Sequence, residues 1–373
     1  MKKHEKHIKL TRRKSGNYAP LEIAILGVKC SIIADFSSKI AKKLQKTIKI
    51  GYLDASHNSE IQAPILDQFT FNKAGALELN KTAVLNKNYD KIRFATYDLL
   101  LINGNHYQGQ QQILILDKEK APSVLKRLDQ LDNVQFLVKL DNDAPIFDFL
   151  TDKYPYIKDI PVYNIDDIGS IAKHIQNITD KATAPIDGLV LAGGKSTRMG
   201  TDKGLLEYHG MAQRDYLFDL FKQVLDKKAQ VYLSVREDQD ITDVAVITDK
   251  FIGLGPFGAI CSAFMHDPNK AYLVVATDLP FVNNDVLQLL LRQRNPKKIA
   301  TAIKGKDKQF VEPLITIWEP KAYPVLLSHL AQGVSCPRKV LINSDVEIVE
   351  IDDNLIQNIN TPQEFEEVKK DLK

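Results

Sequence analysis

Asp187-Gly-Leu-Val-Leu-Ala-Gly-Gly-Lys-Ser-Thr-Arg-Met-Gly-Thr-Asp-Lys203 is the stretch from which the rest of the chain is read. Leu189 to Ala192 is a short apolar run, the pattern of a buried strand. At Gly193 and Gly194 the side chains vanish, and small or cationic residues follow: Lys195, Ser196, Thr197, Arg198, Gly200 and Lys203. A strand that runs into a glycine turn points several backbone N–H groups outward, and such a nest binds an anion. Glycines let the backbone come close to a phosphate chain. Arg198 can fork onto phosphate oxygens, and Lys203 adds a compact point charge. The competing reading is an ordinary basic strand-to-helix loop. A lone Gly-Gly would leave that reading ahead; two glycines, an arginine, a third glycine and a lysine in so short a span favour a phosphate loop.

The stretch lacks the Gly-x-x-x-x-Gly-Lys-Ser/Thr of a Walker loop, and the Gly193 to Gly200 spacing is wrong for a dinucleotide fingerprint. Position for position it resembles the Leu-Ala-Gly-Gly-x-Ser-x-Arg-Met-Gly-x-Asp-Lys motif of the molybdenum cofactor guanylyltransferases, the MobA-like nucleotidyltransferases. The resemblance runs from about Ile186 to the C-terminus. It implies a Rossmann-like nucleotidyltransferase fold and transfer of GMP from GTP to molybdopterin, with release of pyrophosphate. It also implies roles: the backbone of Leu191, Ala192, Gly193 and Gly194 and the carboxylate of Asp249 bind the nucleotide, while Arg198 and Lys203 steady its phosphates.

Composition sets the outer limits. A chain of 373 residues suggests two domains, each large enough for its own core. Apolar content of 44% and charged content of 26% describe an ordinary globular protein. A net charge of +3 is too small to argue for nucleic acid or an anionic membrane. Cys30, Cys261 and Cys336 are far apart and odd in number, so neither a disulfide framework nor a zinc site is expected, and a reducing cytoplasm is the default. No apolar run reaches spanning length and no signal-type segment follows the basic N-terminus.

Residues 1–20 are rich in lysine and arginine and read as a solvated face or a loose arm, with no metal assigned to His4 and His7. From Leu21 the pattern turns α/β. Strands are expected at Leu21–Val28, Thr47–Leu53, Leu99–Asn103, Gln112–Leu116, Val134–Lys139 and Ile160–Tyr163, with helices at Ala121–Leu131 and Ile165–Ile178. Alternation of this kind implies a doubly wound, mostly parallel sheet. The turn after the first strand, where such a sheet holds phosphate, reads Gly27-Val-Lys-Cys-Ser-Ile-Ile and lacks a Walker ending. Tyr97-Asp-Leu-Leu-Leu-Ile-Asn-Gly104 and Ile160-Pro-Val-Tyr-Asn-Ile-Asp-Asp-Ile-Gly-Ser-Ile-Ala172 are similar to segments of MobB-like P-loop proteins, but Asn103 stands where an acid is usual. The resemblance therefore implies a scaffold without NTPase chemistry. Tyr52-Leu-Asp-Ala-Ser-His57 is either a relic ligand site or, more simply, a solvated loop. The polar run Asn177–Pro185 marks the boundary between domains 1–182 and 183–373.

In the second half, helices are expected at Asp215–Leu225, Asn283–Arg292, Lys321–Leu330 and Arg338–Ile342. Strands are expected at Val231–Val235, Val244–Thr248, Tyr272–Ala276, Lys298–Ile303 and Val311–Ile317, the last two closing the sheet. Gly253-Leu-Gly-Pro-Phe-Gly-Ala-Ile260 opens a helix and offers a second, weaker place for a phosphate. Asp278, at the end of a central strand, either points into the ligand crevice or is an N-cap or turn aspartate before the next helix; the resemblance makes it the ligand of Mg²⁺. Glu312 lines the acceptor side by resemblance and is equally readable as a rim charge. Arg338 and Lys339 meet phosphate or water. Thr361 and Pro362 start a helix, leaving Asn358 and Asn360 free, and the resemblance places that pair on the pterin side.

One departure bears on the base. Val235 stands where the family often has an asparagine before arginine, so cytidylyl transfer to molybdopterin is the nearest alternative. A cofactor carrier or docking protein without catalysis is the other, supported by the eroded first half. The implied partners are GTP, molybdopterin and a molybdenum enzyme that receives the product, with no nucleic acid and no membrane.

Overall fold

The computed structural model describes residues 9–55, 68–71, 77–80, 87–193, 203–239, 241 and 243–371. Two compact α/β units divide the chain: Ser15–Ala182, and Thr183–Lys373 together with Met1–Lys14. No helix among the described residues is long and apolar enough to cross a membrane.

The first unit is built on six strands: β1 (Glu22–Leu26), β2 (Ile50–Leu53), β5 (Leu99–Asn103), β6 (Gln111–Leu116), β7 (Val134–Lys139) and β8 (Val162–Asn164), numbered to leave room for a hairpin of β3 (Gln68–Phe71) and β4 (Leu77–Asn80). Their order is β2-β5-β1-β6-β7-β8 and every pair is parallel. Alternation along the strands feeds two layers. Ile23, Ile25, Ile113 and Ile115 face the helices Cys30–Leu44 and Ile168–Lys181 through Ile33, Phe36, Ile40, Ile171 and Ile175. Leu26, Leu114 and Leu116 face the other way, onto Val124, Phe147 and Leu150. The helix expected over Ala121–Leu131 is broken into Ala121–Leu125 and a short 3₁₀ turn, Leu128–Gln130.

Lys9, Arg12 and Lys14 are exposed, as a solvated face requires, but the stretch is fastened at two places. The buried carboxylate of Glu22 accepts from the backbone N–H of Asn17, Tyr18, Ala19 and Gln110 at 2.8–3.1 Å, which fastens the segment before β1. Farther back, the Asn269 side chain accepts from Lys14 N and donates to Arg12 O, so the arm lies on the second unit. The turn after β1 is set by Gly27, whose φ is +101° and whose missing Cβ would stand 2.1 Å from Ile115 O.

The second unit carries β9 (Ile186–Leu191), β10 (Val231–Val235), β11 (Val246–Thr248), β12 (Ala271–Ala276), β13 (Ala300–Gly305), β14 (Glu312–Trp318) and β15 (Val346–Ile351). Their order is β11-β10-β9-β12-β14-β13-β15. The sheet is mixed: β14 runs against β12 and β13, and the other strands share one direction. The edge strand β15 was not among the expected elements, although its Val-Glu-Ile-Val-Glu-Ile is rich in the β-branched residues of strands. The helix Gln213–Val224 presses Phe221 against β9 where Gly188 has no side chain; a Cβ there would lie 2.4 Å from the ring.

Gly27→Ala places a methyl against a backbone carbonyl at positive φ and is expected to cost the first unit about 2–4 kcal/mol. The sole tryptophan, Trp318, lies in the second unit. The substitution should therefore lower the urea midpoint of part of the circular dichroism signal while the tryptophan fluorescence transition stays in place.

Candidate nucleotide-transfer site

Because β9, β10, β11 and β12 are parallel, their carboxyl ends meet on one edge of the second sheet. The chain leaves β9 towards β10 on one side and leaves β12 towards β13 on the other, so the crevice between β9 and β12 is the switch point where open α/β sheets take ligands. Leu191 ends β9 and Ala192 and Gly193 follow it, Arg236 follows β10, Asp249 follows β11, and Thr277 and Asp278 follow β12. Gly194 and Arg198 lie outside the described residues.

Two clusters form there. In the first, Ser234 Oγ donates to Asp249 Oδ1 at 2.8 Å, and Arg236 Nη1 donates to Gly193 O at 2.9 Å. Burial raises the Asp249 carboxyl above the usual range, and the Ser234 hydrogen bond and the Arg236 charge pull it back. Among the described residues a Cβ on Gly193 would meet only ordinary contacts, the nearest at 3.5 Å, so their packing does not require glycine at this position.

In the second cluster, Lys203 Nζ donates to Ile359 O at 3.0 Å and to Asn360 Oδ1 at 2.7 Å, and stands 3.8 Å from Asp278 Oδ2. The backbone closes the triangle, since Ile359 N donates to Asp278 O at 2.9 Å. Asp278 Oδ1 is buried with no hydrogen-bond partner among the described residues. Burial pushes the Asp278 carboxyl up, and Lys203 draws it down. A buried carboxylate oxygen without a donor fits a hard divalent cation shared with substrate phosphates, which takes few protein ligands. No group of three metal-ligating side chains occurs among the described residues. The alternative of a helix cap is excluded: Asn283 caps the helix Asn284–Arg292, its Oδ1 accepting from Val286 N at 3.1 Å.

Glu312, at the start of β14, is buried and its carboxyl is raised by burial; Leu314 N and Arg338 lower it, and the charge of Asp278 raises it further. It is therefore no rim charge, and Arg338 stands 3.8 Å from its Oε2. Asn358 is half-buried one residue before Ile359. Thr361 caps the last helix: Thr361 Oγ1 accepts from Glu364 N, and Glu364 Oε2 accepts from Asn360 N and Thr361 N, a reciprocal capping box. The glycines at 253–258 are explained locally. Gly253 and Gly255 have positive φ, and Gly258 lies under Phe251 O, where a Cβ would approach to 2.3 Å.

Residues that sequence reasoning passed over are Ser234, Arg236 as a ligand of Gly193, and Tyr208. The last is buried against Phe365, its hydroxyl raised by burial and by the charges of Asp278 and Glu364. Only strand register brings Ser234 to Asp249, so no local signal marked it.

Residues 188–347 match the family described as MobA-like NTP transferase domain. This part of the chain is a MobA-like NTP transferase domain. A molybdenum cofactor biosynthesis bifunctional protein from Synechocystis is 32% identical over 195 residues, 51% of this chain and 55% of that protein. The match thus spans about half of that relative's length. A probable molybdenum cofactor guanylyltransferase from Flavobacterium johnsoniae is 24% identical over 49% of this chain and 96% of its own. Among solved structures, molybdopterin-guanine dinucleotide biosynthesis protein A from Archaeoglobus fulgidus is similar at 21% identity and TM-score 0.42, over 49% of this chain and 97% of that one.

Lys203→Met removes two hydrogen bonds that tie Ile359 and Asn360 to the 3₁₀ turn Lys203–Leu205 and is expected to destabilise the second unit by about 1–3 kcal/mol. The check is the urea midpoint of Trp318 fluorescence, with earlier proteolytic release of the terminal helix.

Proposed function

We propose that the second unit transfers GMP from GTP to the terminal phosphate of molybdopterin. The observation that carries this reading is the convergence of Gly193, Asp249, Lys203, Asp278 and Asn360 on the carboxyl edge of a MobA-like NTP transferase domain. An oxygen of the acceptor phosphate attacks the α-phosphorus of GTP, the bond to the bridging oxygen breaks, and pyrophosphate leaves with that electron pair. Such a reaction needs positioning and charge neutralisation rather than a protein nucleophile.

The backbone of Leu191 to Gly194 holds the nucleotide, Arg198 and Lys203 steady its phosphates, and Asp278 holds Mg²⁺ with phosphate oxygens. The cation supplies charge neutralisation at the α-phosphate region when bound. Asp249 faces the base: Ser234 occupies Oδ1, and a carboxylate accepts well from guanine, which offers N1–H and an amino group side by side. Cytosine offers one amino donor. This favours GTP over CTP, even though Val235, buried in the core, gives the base nothing. Glu312, Asn358 and Asn360 form the acceptor side. On this reading the protein works in the cytoplasm, hands its product to a molybdenum enzyme, and uses the unit Ser15–Ala182 as a scaffold.

Gly193→Ala is expected to fold normally, because its Cβ has room, and to weaken GTP binding at least tenfold, roughly 1.4 kcal/mol, by calorimetry with Mg²⁺. Equal binding of GTP, CTP and ATP would remove the guanylyl assignment. Asp278→Asn should lower turnover by about a hundredfold or more without lowering the melting temperature of the ligand-free protein. The sign follows from burial: a carboxyl raised in the folded state costs stability above its pKa, and the neutral amide removes that cost. For the same reason Mg²⁺-dependent turnover should fall, on the acid side, at a pH above the ordinary carboxylate range.

A further inference from the structure

The first unit has its own switch point. Its chain leaves β1 towards β2 and leaves β6 towards β7 on the opposite side, which opens a crevice of about 500 Å³ at the carboxyl ends of β1, β5 and β6. The turn there carries no Walker ending, yet the crevice is not featureless. Cys30 is the first residue of the fifteen-residue helix Cys30–Leu44, and its Sγ lies 3.3 Å from His106 Nε2. Asn105 fixes the pair: its Nδ2 donates to Val28 O at 2.9 Å and approaches Cys30 Sγ at 3.6 Å, while its backbone N donates to Asn103 Oδ1.

The remaining walls are cationic. Lys29, Lys120 and Arg127 line the crevice, and among the described residues no carboxylate lines it. Arg127 is held in place through Ser123 Oγ at 2.7 Å and Asn105 O at 3.3 Å. Across the sheet edge, Asp54 is engaged by Tyr52 Oη and Asn103 Nδ2 at 2.9 and 2.8 Å. A half-buried thiol beside an imidazole, at a helix N-terminus and among cations, is the environment that makes a cysteine nucleophilic. The other cysteines lack it. Cys261 is buried, its thiol pushed up to about 12 by desolvation, and Cys336 is exposed at the start of a short helix.

We propose that Cys30 and His106 form a nucleophilic thiol site in this crevice, which takes small carboxylate-bearing disulfides and forms reversible mixed disulfides with them. His106 Nε2 receives the Cys30 proton, and the thiolate attacks one sulfur of the disulfide. The Cys30 S–S bond forms as the ligand S–S bond breaks, and the departing thiolate carries off the electron pair. The exchange needs no other oxidant, and excess small thiol reverses it. The cationic walls select the carboxylates.

The test uses the full chain with Cys336→Ser and two probe disulfides, dianionic 5,5′-dithiobis(2-nitrobenzoate) and neutral 4,4′-dithiodipyridine. One thiol per chain, mapped to Cys30 by peptide mass, should react rapidly with both. His106→Asn should slow both reagents about tenfold or more, by removing the base. Lys29→Gln with Lys120→Gln should slow the anionic reagent several-fold and leave the neutral one unchanged, and rising salt should act likewise. Circular dichroism establishes that each variant is folded. A fast phase that survives Cys30→Ser, or a rate indifferent to His106→Asn in a folded protein, overturns the proposal. Equal effects of the lysine substitutions on both reagents overturn the selection for carboxylates.

Discussion

The ammonium of Lys203 joins parts of the second unit that the sequence keeps far apart. It bonds Ile359 and Asn360, 156 and 157 residues onward, and stands against Asp278 at the end of a central strand. A point charge with three donors suits this task, because it can serve a carbonyl, an amide and a carboxylate at once. The same cation opposes the rise that burial imposes on Asp278. Placing the C-terminal segment and tempering the buried carboxylate are thus one interaction seen from two sides.

That arrangement runs against the stability of the ligand-free domain. Asp249, Asp278 and Glu312 are all raised by burial, and one oxygen of Asp278 has no donor among the described residues. A core of similar shape with neutral side chains would fold more firmly. Carboxylates kept in this state at a switch-point crevice are poised for cations and donors from outside the chain.

Much of this was legible from residue order. The strand ahead of Gly193, the glycine turn and the aspartate after β12 follow from an apolar run, missing side chains and a shared motif, all local signals. The capping box at Thr361 and Glu364 is equally local. What escaped depends on register. Ser234 reaches Asp249 only because β10 pairs with β11, and Arg236 reaches Gly193 only because β10 pairs with β9. Cys30 and His106, 76 residues apart, are neighbours because β1 pairs with β5. The strand β15 escaped for a different reason: its β-branched residues are visible, but they lack strict alternation, and a short charged strand after a helix competes with an ordinary loop. The solvated basic face was legible, but not its docking, because charge count says nothing of a single asparagine amide waiting 255 residues away.

That asparagine has a consequence in time. Arg12 and Lys14 are made ahead of Ser15–Ala182, and Asn269 is synthesised some 255 residues later. At ribosomal speeds of about 5–20 residues per second, the arm stays unpaired for roughly 13–50 seconds of each round of translation. The whole of Ser15–Ala182 emerges in that interval. The second unit is therefore discontinuous in birth order: its first piece is made before the first unit and docks only when the remainder arrives.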